Sequence, residues 1–157
     1  ELEEILTEYK KPVIIGDDIL GEPVYDRKIK SFEGHILWID KNIDIYLDID
    51  KDNKSGITKA RKAMREMLSD NKRWDTDMRS YAAKKLLDPA RDWCESEEEA
   101  LKITEESFAK RITLRSISMT SGGSFTAYFN DDNIFAEHCI TVSGSLKKGI
   151  TSAIMGG

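Results

Sequence analysis

Apolar and polar residues alternate most regularly between Ser121 and Ile140, where Phe125, Ala127 and Phe129 interleave with Thr126 and Tyr128. A period of two puts the apolar set on one side of a strand. Asn130-Asp131-Asp132-Asn133 supplies turn residues. Ile134 and Phe135 then restart an apolar run that continues through Cys139, Ile140 and Val142. Strand, turn, strand predicts a hairpin. A second hairpin is predicted earlier in the chain. Phe32, Gly34, Ile36 and Trp38 share one parity, and His35, Leu37 and Ile39 the other. Asp40-Lys41-Asn42 turns the chain, and Ile43, Ile45, Leu47 and Ile49 alternate with Asp44, Tyr46 and Asp48. Gly34 inside a strand implies a bulge or a close backbone approach.

Between the hairpins the period changes. Ile57, Ala60, Met64, Met67 and Leu68 form a helical stripe, with Ser55 or Asp52 as its cap. Ser69-Asp70-Asn71 breaks it. A second helix is predicted from about Trp74 towards Cys94, with Trp74, Met78, Tyr81, Ala82, Leu86, Ala90, Trp93 and Cys94 inward. Pro89 either kinks it or restarts it. Ser96 with Glu99 reads as a capping box, and Thr104-Glu105-Glu106 caps a short turn carrying Phe108. A strand follows, with Leu114, Ser116 and Ser118 on one parity and Arg115, Ile117 and Met119 on the other. A last short piece runs from Ile150 to Met155. Residues 1–11 carry Leu2, Ile5, Leu6 and Tyr9 at helical spacing, ending before Pro12. The expected layout is one domain, with residues 1–20 as an N-terminal extension and 21–157 as the core. Strands, then helices, then strands predict an α+β fold with a mainly antiparallel sheet and helices on one face.

Composition sharpens this picture in three ways. A length of 157 residues fits one core, and three Trp, five Tyr and five Phe give it bulk. Charge is uneven. Residues 1–50 hold 13 acids and 6 bases, 51–90 hold 6 acids and 11 bases, and 91–157 hold 10 acids and 7 bases. The basic middle is interleaved with acids, so it reads as a solvated helix surface, and nucleic acid is not the expected partner. Cys94 and Cys139 sit beside apolar residues and read as buried free thiols, which suits a reducing cytoplasm. Apolar runs of four or five residues span no membrane.

Several residues from both hairpins and the helices between them fall in a familiar order: Phe32-Glu33-Gly34, Trp38, Arg73-Trp74-Asp75, LLDPARDWC at 86–94, TEESF at 104–108 and GSFTAYFNDDNIFAEHCITVSG at 123–144. This pattern resembles the uncharacterised bacterial family DUF2262 over about residues 21–157. The chain departs from the family pattern at Pro89 and at Ala136-Glu137. The resemblance implies the fold and a bacterial cytoplasmic setting, and it assigns no catalytic residue.

Candidate chemistry is sparse. Asp48, Asp50 and Asp52 alternate as at the start of a calcium loop, but Lys59 stands where the closing Glu belongs. A solvated acidic turn before a helix N-terminus explains them as well. His35 and His138 lie on different hairpins, and would meet only if their strands are neighbours. His138, with Glu137 and Asp131, is the remaining catalytic candidate set. No cofactor motif is present. The expected function is a non-catalytic domain that binds another protein, of immunity or regulatory type. The alternatives are an enzyme or small-molecule sensor with a pocket between sheet and helices, and nucleic-acid binding through Lys59, Lys62, Arg65 and Arg73.

Overall fold

Among the described residues, seven strands form one sheet in the order in which they occur in the chain. The computed structural model describes residues 2–3 and 11–156. Apart from Leu2, Glu3 and Lys11, the helix expected over 1–11 lies outside them. The strands are β1 (Val24–Asp26), β2 (Ser31–Trp38), β3 (Lys41–Leu47), β4 (Thr113–Met119), β5 (Ser124–Asn130), β6 (Cys139–Ser145) and β7 (Gly149–Gly156). Every pair is antiparallel except β3 with β4, which is parallel. A parallel pair needs a long crossover. The four helices supply it: α1 (Lys54–Ser69), α2 (Asn71–Asp92), α3 (Glu97–Lys102) and α4 (Glu105–Arg111). The fold is therefore α+β with a mainly antiparallel sheet.

The helices cover one face. Ile43, Ile45, Leu47, Ile117, Met119, Phe125, Ala127, Phe129, Ile140 and Val142 point into it and are buried with Ala60, Met64 and Met67 of α1 and Trp74, Met78 and Ala82 of α2. Trp74 meets Phe125 edge-on at 5.3 Å. Asp75 ties β2 to α2 by accepting from Trp38 Nε1 at 3.0 Å, and within α2 it accepts from Arg79 Nε at 2.9 Å. Arg79 also donates to the carbonyls of Ala109 and Ile112, which close the C-terminal end of α4.

Residues 11–23 pack over the β1–β2 end. Leu20 is fully buried, and Asp17 lies buried among hydrogen-bond donors. Its Oδ1 accepts from the N–H groups of Ile19 and Leu20, both at 3.1 Å, and its Oδ2 takes Arg61 and Arg65, each at 3.0 Å. Burial pushes the Asp17 carboxyl up. The hydrogen bonds from Arg65, Arg61 and Leu20 outweigh that, and its pKa falls below the ordinary value. Gly34 is the close approach that a glycine inside a strand implied: a side chain there would meet the Leu20 carbonyl oxygen at 2.4 Å.

Several expectations change. The first hairpin turns at Ile39-Asp40, with Ile39 left-handed at φ 59°, and Ile49 lies beyond β3. Asn53, not Ser55 or Asp52, caps α1, accepting from Gly56 N–H at 3.0 Å. Helix α2 runs unbroken through Pro89. The Ser96 cap is one-sided, whereas Thr104 and Ser107 form a complete capping box. In β4 a bulge between Leu114 and Ser116 resets the parity, so Leu114 joins Ile117 and Met119 in the core. The eight residues 131–138 form a loop. Ile134 and Phe135 are buried there as plugs, not as strand residues.

Candidate functional site

The opposite face of the sheet carries no described helix. Because side chains alternate, each strand presents its polar set there. Read across the cross-strand register, one row runs His35, Asp44, Ser116, Tyr128, Thr141 and Ile154. The next runs Glu33, Tyr46, Ser118, Thr126, Ser143 and Ser152. The middle is thus short hydroxyls and two phenols, with ionisable groups towards β2. His35 Nδ1 lies 2.7 Å from Asp44 Oδ1, and its Nε2 lies 4.0 Å from Glu33. Loss of solvent, then the hydrogen bond to Glu33 and the negative charges of Glu33, Asp44 and Asp26, push the Tyr46 phenol up to about 12.

A cleft of about 310 Å³ opens on this face where β3, β4 and β5 meet the 131–138 loop. Asp44, Tyr46, Arg115, Tyr128, Glu137 and His138 are among the residues that line it. Arg115 is the extra residue of the β4 bulge, and its guanidinium has no ion pair or hydrogen bond among the described residues. The bulge is what brings this cation to the cleft.

The loop is built to hold a strained path. Asp132, Asn133, Ala136 and Glu137 all have positive φ, from 50° to 67°. Asn and Asp tolerate this region, whereas Ala and Glu adopt it at a cost of order 1 kcal/mol each. Asp131 sets the path. Its side chain is buried and accepts from Asn133 N–H at 3.1 Å and Phe135 N–H at 2.7 Å. Phe135 is fully buried against Trp93 and Phe108, at 5.8 and 6.3 Å between centroids. The Phe135 carbonyl accepts from His138 Nδ1. A carbonyl only accepts, so the proton sits on Nδ1 and the Nε2 lone pair is left free. Trp93, expected in the core, is 45% exposed and instead meets the edge of His138 at 5.3 Å.

The predicted site residues therefore separate. Glu137 and His138 face the cleft as a free carboxylate and an oriented imidazole. Asp131 lies beside them, with both carboxylate oxygens already serving the loop backbone. Asp50 accepts from Tyr25 at 2.8 Å, Asp52 pairs with Lys51, and Asp48 is exposed. His35 and His138 do not meet, because three strands lie between β2 and β6, a separation of roughly 19 Å. Among the described residues no three His, Cys, Asp or Glu side chains gather to hold a metal ion. The cleft lies on the face of the sheet away from the described helices, whereas the alternative enzyme or sensor reading placed a pocket between sheet and helices. Arg115 was invisible in the sequence, since a bulge leaves no composition signal.

No described helix is long and apolar enough to cross a membrane. No curated protein and no solved structure matches the chain. A family model does match, over residues 17–155, and it covers the sheet, the crossover helices and the cleft: the chain belongs to the DUF2262 family, described as uncharacterized protein conserved in bacteria.

Proposed function

We propose that this chain is a protein-binding domain, and that its partner docks on the helix-free face of the sheet. The observation that carries the reading is the make-up of that face. Tyr46, Tyr128 and a block of Ser and Thr occupy its centre, with exposed Leu37 and Ile154 near its ends. Tyrosine gives large contact area at low entropic cost, and short hydroxyls give adaptable hydrogen bonds, the mixture found in protein-recognition surfaces. Seven strands and about seven residues per strand span on the order of 700 Å², close to the ~800 Å² each partner contributes to a standard interface. Glu33, Asp44 and Glu137 outnumber Arg115 on this side, so the complementary partner presents a basic surface.

The test is affinity capture with the tagged chain beside a variant carrying Ser118→Arg and Thr126→Arg in the middle of the face. A stoichiometric basic protein held by the wild type and released by the variant supports the reading. A partner held equally by both places the interface elsewhere and overturns it.

A second reading rests on His138. The unpaired Arg115 suits the carboxylate of a small molecule, and the His138 Nε2 lone pair beside it suits a hydroxyl or N–H donor on the same molecule. Thermal-shift screening of carboxylates against wild type and Arg115→Gln tests it. Stabilisation that the variant keeps removes this reading.

A further inference from the structure

A different end of the molecule carries an excess of unpaired positive charge. The β4–β5 turn, the β6–β7 turn and the outer side of α1 enclose a groove of about 360 Å³. Lys59 and Lys62 enter it from α1, Lys147 enters from the β6–β7 turn, and Glu66 is the one acid in its lining. These three lysines have no ion pair among the described residues, and all three are exposed. The contrast with their neighbours is informative. Arg61 and Arg65 of the same helix are both committed to Asp17, and Arg73 is committed to Asp70 and Asp77. In a chain of net charge −5, Lys59 and Lys62 of α1 thus meet Lys147, from the distant β6–β7 turn, at one groove.

The β4–β5 turn that lines the groove adds backbone donors. Gly123 N–H bonds Thr120 O, and Ser124 N–H bonds Thr120 Oγ1, which shapes a tight turn. The N–H groups of Ser121 and Gly122 are left without a described partner. Gly122 has only Thr120 Oγ1 near the place a side chain would occupy, at 3.9 Å. Consecutive turn N–H groups beside ammonium groups form an anion cradle. A point charge on a flexible stem suits phosphate oxygens.

We infer that this groove binds a small molecule through a phosphate or diphosphate group. Lys59, Lys62 and Lys147 neutralise its charge, and the Ser121 and Gly122 N–H groups orient its oxygens. The size of the groove favours a small ligand over a nucleic-acid backbone. A polymer needs a track of free cations, and the arginines that would extend one are already paired with acids. The inference is independent of the sheet-face reading.

The experiment titrates inorganic pyrophosphate into the full chain labelled with ¹⁵N, at low and at physiological ionic strength. Sulfate and a short single-stranded oligonucleotide serve as comparison ligands. Expected are saturable shifts of the Ser121, Gly122 and Lys147 amides, pyrophosphate preferred to sulfate, and about tenfold weaker binding in Lys59→Gln with Lys62→Gln. Both substitutions are on exposed positions, and an unchanged amide spectrum elsewhere shows that the variant folds. No saturable shift at millimolar pyrophosphate overturns the inference. So do shifts that survive the double substitution, and oligonucleotide binding tighter than pyrophosphate, which would instead mark a nucleic-acid surface.

Discussion

Arg61 donates from Nε to Oδ2 of Asp17 at 3.0 Å and so joins α1 to a loop 44 residues earlier in the chain. Arg65 reaches the same oxygen at 3.0 Å, one helical turn on. The carboxylate is shut off from solvent, while the arginines stay partly exposed. Losing the acid therefore strands no buried cation, but it removes two charge-assisted bonds and two backbone caps. Asp17→Ala is expected to cost about 2–3 kcal/mol in urea unfolding.

The same carboxylate sets an acid limb. Its folded pKa is depressed, so the unfolded state binds the proton more tightly. Its contribution is complete above the unfolded value near 3.8 and is lost as pH falls through the folded value. The stability gap between wild type and Asp17→Asn should shrink as pH is lowered below that point. A gap independent of pH would show that Asp17 acts by packing alone.

Gly34 and Leu20 test the packing of the same loop. A methyl group on Gly34 would stand 2.4 Å from the Leu20 carbonyl oxygen and 3.3 Å from Ile45 Cγ1. Neither partner is the loose end of a flexible chain, since Leu20 offers backbone and Ile45 is fully buried. Gly34→Ala should destabilise by about 1–3 kcal/mol and shift the amide resonances of 17–22. Resonances that stay in place would refute the close approach.

Much of this was legible because it follows from periodicity. The alternation of Ile43, Ile45 and Leu47, and of Phe125, Ala127 and Phe129, fixes which side of each strand is buried. The stripe of Ala60, Met64 and Met67 does the same for α1. What escaped depends on local geometry that periodicity does not encode. The Arg115 bulge reverses parity within one residue. Ile134 and Phe135 are apolar because they plug a loop, and an apolar pair reads the same in a loop as in a strand. Asp17 carries no periodic signal of its burial, because its two arginines come from a helix far along the chain. The cleft shares this property: His138 and Glu137 were visible as chemistry, while the orientation of His138 comes from the Phe135 carbonyl and the anchoring of Asp131.

Asp131 and Glu137 should therefore behave oppositely, although both are acids beside the same cleft. Asp131 holds Asn133 and Phe135 N–H groups inside the protein, and Glu137 is exposed. Asp131→Ala leaves two donors unpaired and releases a strained path, for an expected loss of about 2–3 kcal/mol. Hydrogen exchange of the Phe135 amide should rise sharply. Glu137→Ala should stay within about 0.5 kcal/mol of wild type. Equal effects would mean that the loop is not organised by Asp131.

The Tyr46 phenol offers a test on the open face itself. Its pKa is pushed up to about 12, with loss of solvent as the leading cause, followed by its hydrogen bond to the opposing Glu33. Glu33→Gln removes the nearby negative charge and turns a carboxylate acceptor into a neutral one. The phenol should then titrate lower, towards 10 without reaching it, because the burial remains. A raised folded pKa favours the neutral phenol in the native state. Its contribution is present below the unfolded value of 10 and is lost as pH rises through the folded value. The alkaline loss of stability should therefore begin near the unfolded value of 10 in both proteins, but level off at lower pH and with a smaller total loss in Glu33→Gln. Tyrosinate absorbance during pH titration reads the first effect, and chemical unfolding at alkaline pH reads the second. A phenol that still titrates near 12 in the variant would show that burial alone sets the shift, and would remove Glu33 from the polar network that borders the proposed docking face.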